Sequence, residues 1–498
     1  MEIEPPAELD RRETSGSDGG SSRRGAVVLV ASQSCQLATQ VLGIIVLSRL
    51  LSPSAFGLVG MVTALVGLAS VIGEFGLSLS ALTGNALSLS QRNNLFWLNA
   101  CVGLLLMLLV MASAPAVSAF YGRPQLVDLT LVLSVPYFVN ATAVQFKLEL
   151  NLRRRWTRLA ATEAVPAAVA LMGAVAIAAA TGSYWSLAIQ PIIASVLQLV
   201  LAVTWSSWRP GRPDRRGDIR DHLRFGRDTA GLQAFNYLAS NADSVLIGHS
   251  LGQAALGQYN RAYTLAVLPQ NQLAAPLTRV VLTQLARTPR ERLNSELRRY
   301  QGALVYAQLA PISFVAATAY PLMRLLLGPR WPDVPHLLQI ESLGAAFSAL
   351  GYVFYWTFLV QRRTRLMAVT EGACEVAMVI AMALVVSRGS TWIAWCVVGG
   401  QLAMMTASGA VSQRFLEVDL VGVARASMRP TAIFAVAAAA GIGAYNLAPS
   451  SEEILSFVTT AGAWGLVCGA CVCTSRVVRE DLRVFLSALW PGRPSRSS

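Results

Sequence analysis

The chain has 498 residues, is 54% hydrophobic and only 13% charged, and carries a net charge of +13. Soluble domains hold roughly twice that charged fraction, so an ordinary multidomain water-soluble protein is excluded. The basic excess does not point to nucleic acid, because the 39 arginines and the single Lys147 sit mainly in short connectors between apolar blocks.

Residues 1–25 are polar, with acids, arginines and a Gly/Ser run, and read as a disordered cytoplasmic tail rather than a signal peptide. Apolar blocks follow at 26–48, 56–80, 95–117, 125–146, 160–181 and 184–206. Each is long enough to cross a bilayer, which takes about 20 residues. The connector 207–228 is the most charged internal stretch and reads as a solvated basic linker. Near anionic lipid each of its arginines is worth about 1 kcal/mol. Further blocks span 229–250, 262–284, 303–327, 334–359, 366–387, 391–413, 430–448 and 455–475, and 476–498 forms a cytoplasmic C-terminal tail. The second and eighth blocks contain polar residues.

The arginines orient these fourteen spans. With the N-terminus in the cytoplasm, 33 of the 40 basic residues fall on the cytoplasmic side, as the positive-inside rule requires. Losing or adding one span in mid-chain scrambles that alternation. The expectation is an all-α, multi-pass membrane protein with both termini in the cytoplasm.

An internal repeat divides the spans. LLSPSAFGLV (Leu50 to Val59) and SLGQAALGQY (Ser250 to Tyr259) align at an offset of 200, matching Leu51 with Leu251, Ala55 with Ala255 and Gly57 with Gly257. Each copy joins two apolar blocks. The expected organisation is an N-lobe at 26–206, a C-lobe at 229–413 and two additional spans at 414–475, a parallel repeat of the kind found in transporters.

Polar residues at membrane depth are costly and mark candidate sites. In the seventh block Asn236, Ser240 and Asp243 fall at i, i+4 and i+7, on one helical face, with Asn241 alongside. Arg261 precedes the eighth block and Arg279 lies within it, near Pro269 and Pro276. Glu341 lies in the tenth block, Glu371 and Glu375 share a face of the eleventh, Glu74 ends the second and Glu163 opens the fifth. Two readings stand. These residues make interhelical hydrogen bonds, or they line a water-filled cavity. In the second reading arginines meet an anionic head group through the planar guanidinium fork, and carboxylates hold a proton or coupling cation.

The sequence lacks a GxxxxGK[ST] phosphate loop, an HExxH zinc motif and a GxSxG nucleophile elbow. Three cysteines close together, Cys468, Cys471 and Cys473, lie in an apolar block without polar company and read as small core hydrophobes. No metal or cofactor is expected. A membrane glycosyl enzyme would want a large external loop with paired acids, and the first one (LLSPSAFG) has no acid. The expectation is a transporter, not an enzyme.

At several of these residues the chain resembles the Wzx-type polysaccharide flippases of the multidrug/oligosaccharidyl-lipid/polysaccharide superfamily, especially the colanic-acid-exporter branch. The matching stretches are LSRLLSPSAFGLVGMV (Leu47 to Val62), EFGLS (Glu74 to Ser78), QRNNLFWLN (Gln91 to Asn99) and AFYGRP (Ala119 to Pro124). They continue with NADSVLIGHSLGQAALGQYNRAYTLAVLP (Asn241 to Pro269) and APLTRV (Ala275 to Val280). The resemblance implies two six-helix lobes around a central cavity and alternating access that moves an undecaprenyl-diphosphate-linked oligosaccharide outward. Arg49, Asn241, Arg261 and Arg279 fall inside the matching motifs and are the substrate-binding candidates. Asp243 is the coupling-ion candidate within a matching motif. Glu341, Glu371 and Glu375 lie beyond the clear match and rest on membrane depth. The expected partners are the lipid-linked oligosaccharide, membrane lipid, and a polymerase and glycosyltransferases of the same pathway, with the chain acting as a monomer. A drug/cation antiporter of the same superfamily is the alternative, distinguished by an acidic, arginine-poor cavity.

Overall fold

The computed structural model describes residues 18–70, 88–213, 231, 233–447, 452–475 and 478. Side chains of 18–27, 29–30, 275–276 and 279–280 lie outside that description. Glu74, most of the basic linker and most of the C-terminal tail also fall outside it.

The described residues are all-α. The helices are α1 (Asp18–Leu50), α2 (Pro53–Val66), α3 (Leu89–Tyr121), α4 (Leu126–Leu152), α5 (Trp156–Thr181) and α6 (Trp185–Trp205). They continue with α7 (Ala242–Ser250), α8 (Gln253–Leu285), α9 (Arg290–Leu327), α10 (Val334–Val360) and α11 (Thr364–Val385). The last three are α12 (Ser390–Leu416), α13 (Leu420–Leu447) and α14 (Glu453–Thr474). Among the described residues, ten helices are long and apolar enough to cross a membrane: α3 to α6 and α9 to α14. The eighth, α8, is 33 residues long and falls short in hydropathy because of its glutamines, asparagines and arginines.

Two differences from the sequence reading concern helix ends. α1 begins at Asp18, inside the segment read as a tail, because extending an existing helix costs far less than nucleating one. The seventh span is interrupted. A helical stretch at 233–240 stops at a turn on Asn241, and α7 starts afresh at Ala242. Asn236 and Ser240, before the turn, are exposed and Asp243, after it, is buried, so the three do not form one buried polar face.

The chain divides into two compact units, Met1–Leu238 and Ala239–Ser498. In the first, α3 packs on α4, α4 on α6, α5 on α6 and α1 on α5. The second reproduces this set: α9 on α10, α10 on α12, α11 on α12 and α7 on α11. α13 packs on α9, α14 packs on both, and the Trp464 indole donates to Ser313 Oγ at 3.0 Å. The 200-residue offset holds at the helix junctions. α1 ends at Leu50 and α2 starts at Pro53; α7 ends at Ser250 and α8 starts at Gln253. The same bond closes both helices, Leu51 N–H to Leu47 O at 2.9 Å and Leu251 N–H to Ile247 O at 2.8 Å. The turns use different chemistry. Ser52 caps α2 by accepting from Ala55 N–H, with Pro53 opening the helix, whereas Gly252 sits at φ +86°, where a side chain is strained.

Close helix approach fixes the packing within each unit. A Cβ added at Gly103 of α3 would lie 2.4 Å from the Ala141 Cβ on α4 and 3.1 Å from the Tyr137 carbonyl oxygen. Gly103→Leu is therefore expected to destabilise the first unit by about 1–3 kcal/mol or more, because two backbones must part. A melting temperature in detergent equal to that of the parent would contradict this. Leu384 and Leu466, on α11 and α14, are among the most exposed apolar side chains. Facing lipid tails, they carry no hydrophobic penalty.

Candidate functional site

α7 and α8 form a short hairpin whose turn is at Leu251 and Gly252. Across that turn Asp243 and Tyr259 meet, and the Tyr259 hydroxyl donates to Asp243 Oδ2 at 2.9 Å. One residue on, Ser244 Oγ donates to Asn260 Oδ1 at 3.0 Å. The second Asp243 oxygen accepts from the Ser244 N–H. Tyr263, one turn beyond Tyr259, stacks near it with ring centroids 6.3 Å apart. From α10, Glu341 comes close enough to interact electrostatically with Asp243 and with both phenols. Asp243, Tyr259 and Glu341 are only 6%, 0% and 2% exposed. Among the described residues neither carboxylate forms an ion pair.

The rest of α8 extends the polar site. Gln258 donates to Asp333 Oδ2 at 2.8 Å and accepts from the Asp333 N–H at 2.7 Å, tying α8 to the loop before α10. The Arg261 guanidinium lies over the Trp331 ring, 5.8 Å from its centroid. In the other repeat, the positions equivalent to Asp243, Tyr259 and Arg261 are Gly43, Val59 and Met61. The polar set is thus specific to the second unit.

Glu371 of α11 belongs to a separate place in that unit. It lines a cavity of about 160 Å³ with Gln270, Ser348, Tyr352, Tyr355 and Gln401. Gln270 reaches Ser348 Oγ at 2.8 Å, and the Trp356 indole donates to Thr278 Oγ1 at 3.0 Å beneath it. Ser348 lies seven residues after Glu341 on α10, roughly 10 Å along the helix. Glu375 follows Glu371 by one turn on α11 and is half-buried.

The structure thus brings Asp243 and Glu341 together, and places Arg261 and Asn241 on the same hairpin. It does not bring Glu371 and Glu375 to that cluster. Arg49 sits exposed in the last turn of α1, in the first unit, where a cation favours the helix C-terminus. Arg279 lies on α8, and its side chain is outside those described.

Sequence reasoning missed three features. Tyr259 lies within the matching motif, across the Leu251–Gly252 turn from Asp243. The second is a buried charge network in the first unit. Glu149, 2% exposed, receives Arg92 at 2.5 Å, Arg153 from the next turn, and the Ser207 hydroxyl at 3.3 Å. The Arg92 guanidinium also stacks over Trp208, 4.8 Å from its centroid. Trp208 opens the linker and packs against Phe96 and Phe146. The third is a cavity of about 680 Å³ in the first unit, bordered by α2 to α6. Its walls include Lys147 and Glu163, whose charged groups are 3.2 Å apart, with Gln36 donating to the other Glu163 oxygen at 3.4 Å.

Comparison with known proteins follows from this geometry. A family profile described as "Polysaccharide biosynthesis protein" matches residues 46–335, more than half of the chain. The lipopolysaccharide biosynthesis protein WzxC of Escherichia coli K12 is 23% identical over 317 residues, covering 61% of this chain and 63% of that one. The teichuronic acid biosynthesis protein TuaB of Bacillus subtilis 168 is 26% identical, covering 58% and 63%. The chain thus spans a little under two thirds of the length of these relatives. The succinoglycan biosynthesis transport protein ExoT of Rhizobium meliloti 1021 is 23% identical, covering 68% and 71%. Among solved structures, the lipid II flippase MurJ in an inward closed conformation has a TM-score of 0.72 at 11% identity. It covers 92% of this chain and 100% of the other. An inward-facing multidrug resistance MATE transporter has a TM-score of 0.54 at 16% identity, covering 80% and 95%. At these identities the structural likeness is one of fold.

Proposed function

The chain belongs to the polysaccharide biosynthesis protein family, and on that premise we propose that it flips a lipid-diphosphate-linked oligosaccharide across the cytoplasmic membrane for polysaccharide assembly. The relatives named for lipopolysaccharide, teichuronic acid and succinoglycan biosynthesis support the substrate class. The transport protein among them and the flippase fold support movement rather than bond chemistry.

The observation that carries the mechanism is the Asp243–Tyr259–Glu341 cluster. Two buried carboxyl groups, one of them hydrogen-bonded to the Tyr259 hydroxyl, need a proton or a cation to offset their charge. Their position beside the helix break at Asn241 fits a site that changes with conformation, since interrupted helices carry the ion and substrate sites of many secondary transporters. One elementary charge crossing 100 mV supplies about 2.3 kcal/mol, enough to bias alternating access. Glu371 and Glu375 are a second carboxylate pair available to the same ion. Arg261, Arg279 and Arg49, with Asn241, are the proposed contacts of the anionic lipid head group. The two repeats act as the moving lobes, both termini lie in the cytoplasm, and the chain works as a monomer that delivers its cargo to a polymerase.

The test is genetic. Deleting the gene is expected to abolish one surface polysaccharide and to leave its lipid-linked repeat unit stranded in the cytoplasmic leaflet. A deletion strain with every polysaccharide at parental level contradicts the reading.

A further inference from the structure

We propose that Gln258 is a positioning residue for the carboxylate pair: its side-chain amide clamps Asp333, the residue from which α10 starts, and so fixes Glu341 against Asp243. This rests on the coupling role given above to those two acids and adds the part that sets their spacing.

Asp333 stands at the N-cap of α10, where an aspartate ordinarily accepts from the free amides of its own helix. Here its side chain makes no capping bond. Instead Oδ2 accepts from Gln258 Nε2 at 2.8 Å, and the Asp333 N–H donates to Gln258 Oε1 at 2.7 Å. One amide thus matches an acceptor and a donor of a single residue, and the two bonds together admit one orientation. Gln258 is only 9% exposed, so water competes poorly for its place. The Asp333 carbonyl accepts from the Leu337 N–H at 3.0 Å, so the clamped residue is tied directly into the opening turn of α10. The same loop is held a second time, one turn further along α8, where Arg261 lies over the buried Trp331.

α8 is the common support of both acids. Tyr259 follows Gln258 and points about 100° away around the helix. Its hydroxyl holds Asp243 of α7, while Gln258 holds the start of α10. Glu341 follows Asp333 by eight residues, roughly 12 Å along α10. Two neighbouring residues of one helix therefore set the places of the two elements that carry the carboxylates. The electrostatic interaction of Asp243 with Glu341 depends on their separation. Helix shifts in switching proteins amount to about 1–2 Å. A slip of that size along α10 changes how the two acids share a proton or cation, and the Gln258 clamp opposes it.

The test uses full-length protein in liposomes with a labelled lipid-diphosphate-linked oligosaccharide, and reads the initial rate with and without an imposed proton gradient or membrane potential. Gln258→Glu sets a carboxylate against that of Asp333 and removes the donor. It is expected to lose most of the stimulation by the gradient. Asp333→Asn alone is expected to keep it, because Gln258 still finds an oxygen to donate to. The double variant Gln258→Glu with Asp333→Asn is expected to recover it: the new amide donates to the new carboxylate, and the backbone N–H keeps its acceptor. In a Glu341→Gln background, Gln258→Glu is expected to change the driven rate no further, since the acid it positions is already gone. A clamp that merely held the fold would lower the rate in both backgrounds. Gln258→Met, which keeps the length and loses both bonds, takes the place of Gln258→Glu if that variant does not fold. The proposal falls if Gln258→Glu responds to the gradient like the parent, if the double variant stays as impaired as Gln258→Glu, or if Gln258→Glu lowers the driven rate equally in both backgrounds. A parent that ignores the gradient removes the coupling reading and this clamp with it. A parent that responds, beside an equally responsive Gln258→Glu, removes the clamp alone.

Discussion

Asp243→Asn is expected to slow transport about tenfold, equivalent to roughly 1.4 kcal/mol on the limiting step, while leaving the protein folded. The amide keeps the size of the carboxyl group and still accepts the Tyr259 hydroxyl that now reaches Asp243 at 2.9 Å. What it loses is the capacity to carry a charge or a proton. Glu341→Gln is expected to have an effect of the same kind, because Glu341 interacts electrostatically with Asp243 and Tyr259 from α10. The double variant is expected to be little worse than either single one, since both acids serve one ion. Transport by Asp243→Asn is also expected to stop responding to an imposed proton gradient or potential. The measurement is the initial rate in proteoliposomes with and without the gradient. A variant that transports at parental rate and keeps its response would remove the coupling role.

Glu149→Gln is expected to destabilise the first unit by about 3–5 kcal/mol, the cost of leaving a buried charge without its partner. Arg92 is 7% exposed and turns both to Glu149 and to the face of Trp208. With the carboxylate neutralised, that guanidinium is held in an apolar pocket by a ring and an amide alone. Arg153, half exposed, is expected to contribute little, and Arg153→Gln to cost about 0–1 kcal/mol. Glu149→Gln is also expected to loosen the start of the linker. Trp208 packs on α3 and α4, and Gly211 is held by the Trp97 indole at 2.9 Å and by Asn93 at 3.1 Å. Thermal unfolding and limited proteolysis near 206–213 read the two effects. Equal melting temperatures for the parent and Glu149→Gln would show that the network is solvated.

The fold was largely legible because bilayer crossing demands long apolar helices and hydropathy reports them directly. α3 to α6, α10 to α12 and α14 lie close to the apolar blocks read from the sequence, whereas α9 begins at Arg290 and α13 at Leu420, well before the blocks at 303–327 and 430–448. Leu51 and Leu251 stand at matching helix ends closed by the same backbone bond, although the residues that follow open the next helix differently. The break at Asn241 was not. Nothing as strong as Pro marks it, so the spacing of Asn236, Ser240 and Asp243 reads as one continuous helix. The pairing of Asp243 with Tyr259 needed the hairpin geometry rather than the residue types. Lys147 and Glu163 read as residues near span ends. Their meeting is a matter of how α4 packs beside α5, which no periodicity encodes.

The central claim is movement of a lipid-linked oligosaccharide between leaflets. Its most direct measurement uses liposomes containing the purified protein and a lipid-diphosphate-linked oligosaccharide labelled on its sugar, with a membrane-impermeant reagent that modifies only outward-facing label. With an ion gradient imposed, the account predicts that the inward-facing pool becomes reactive far faster than in protein-free liposomes, and that Asp243→Asn abolishes most of the difference. Equal modification with and without the protein would contradict it.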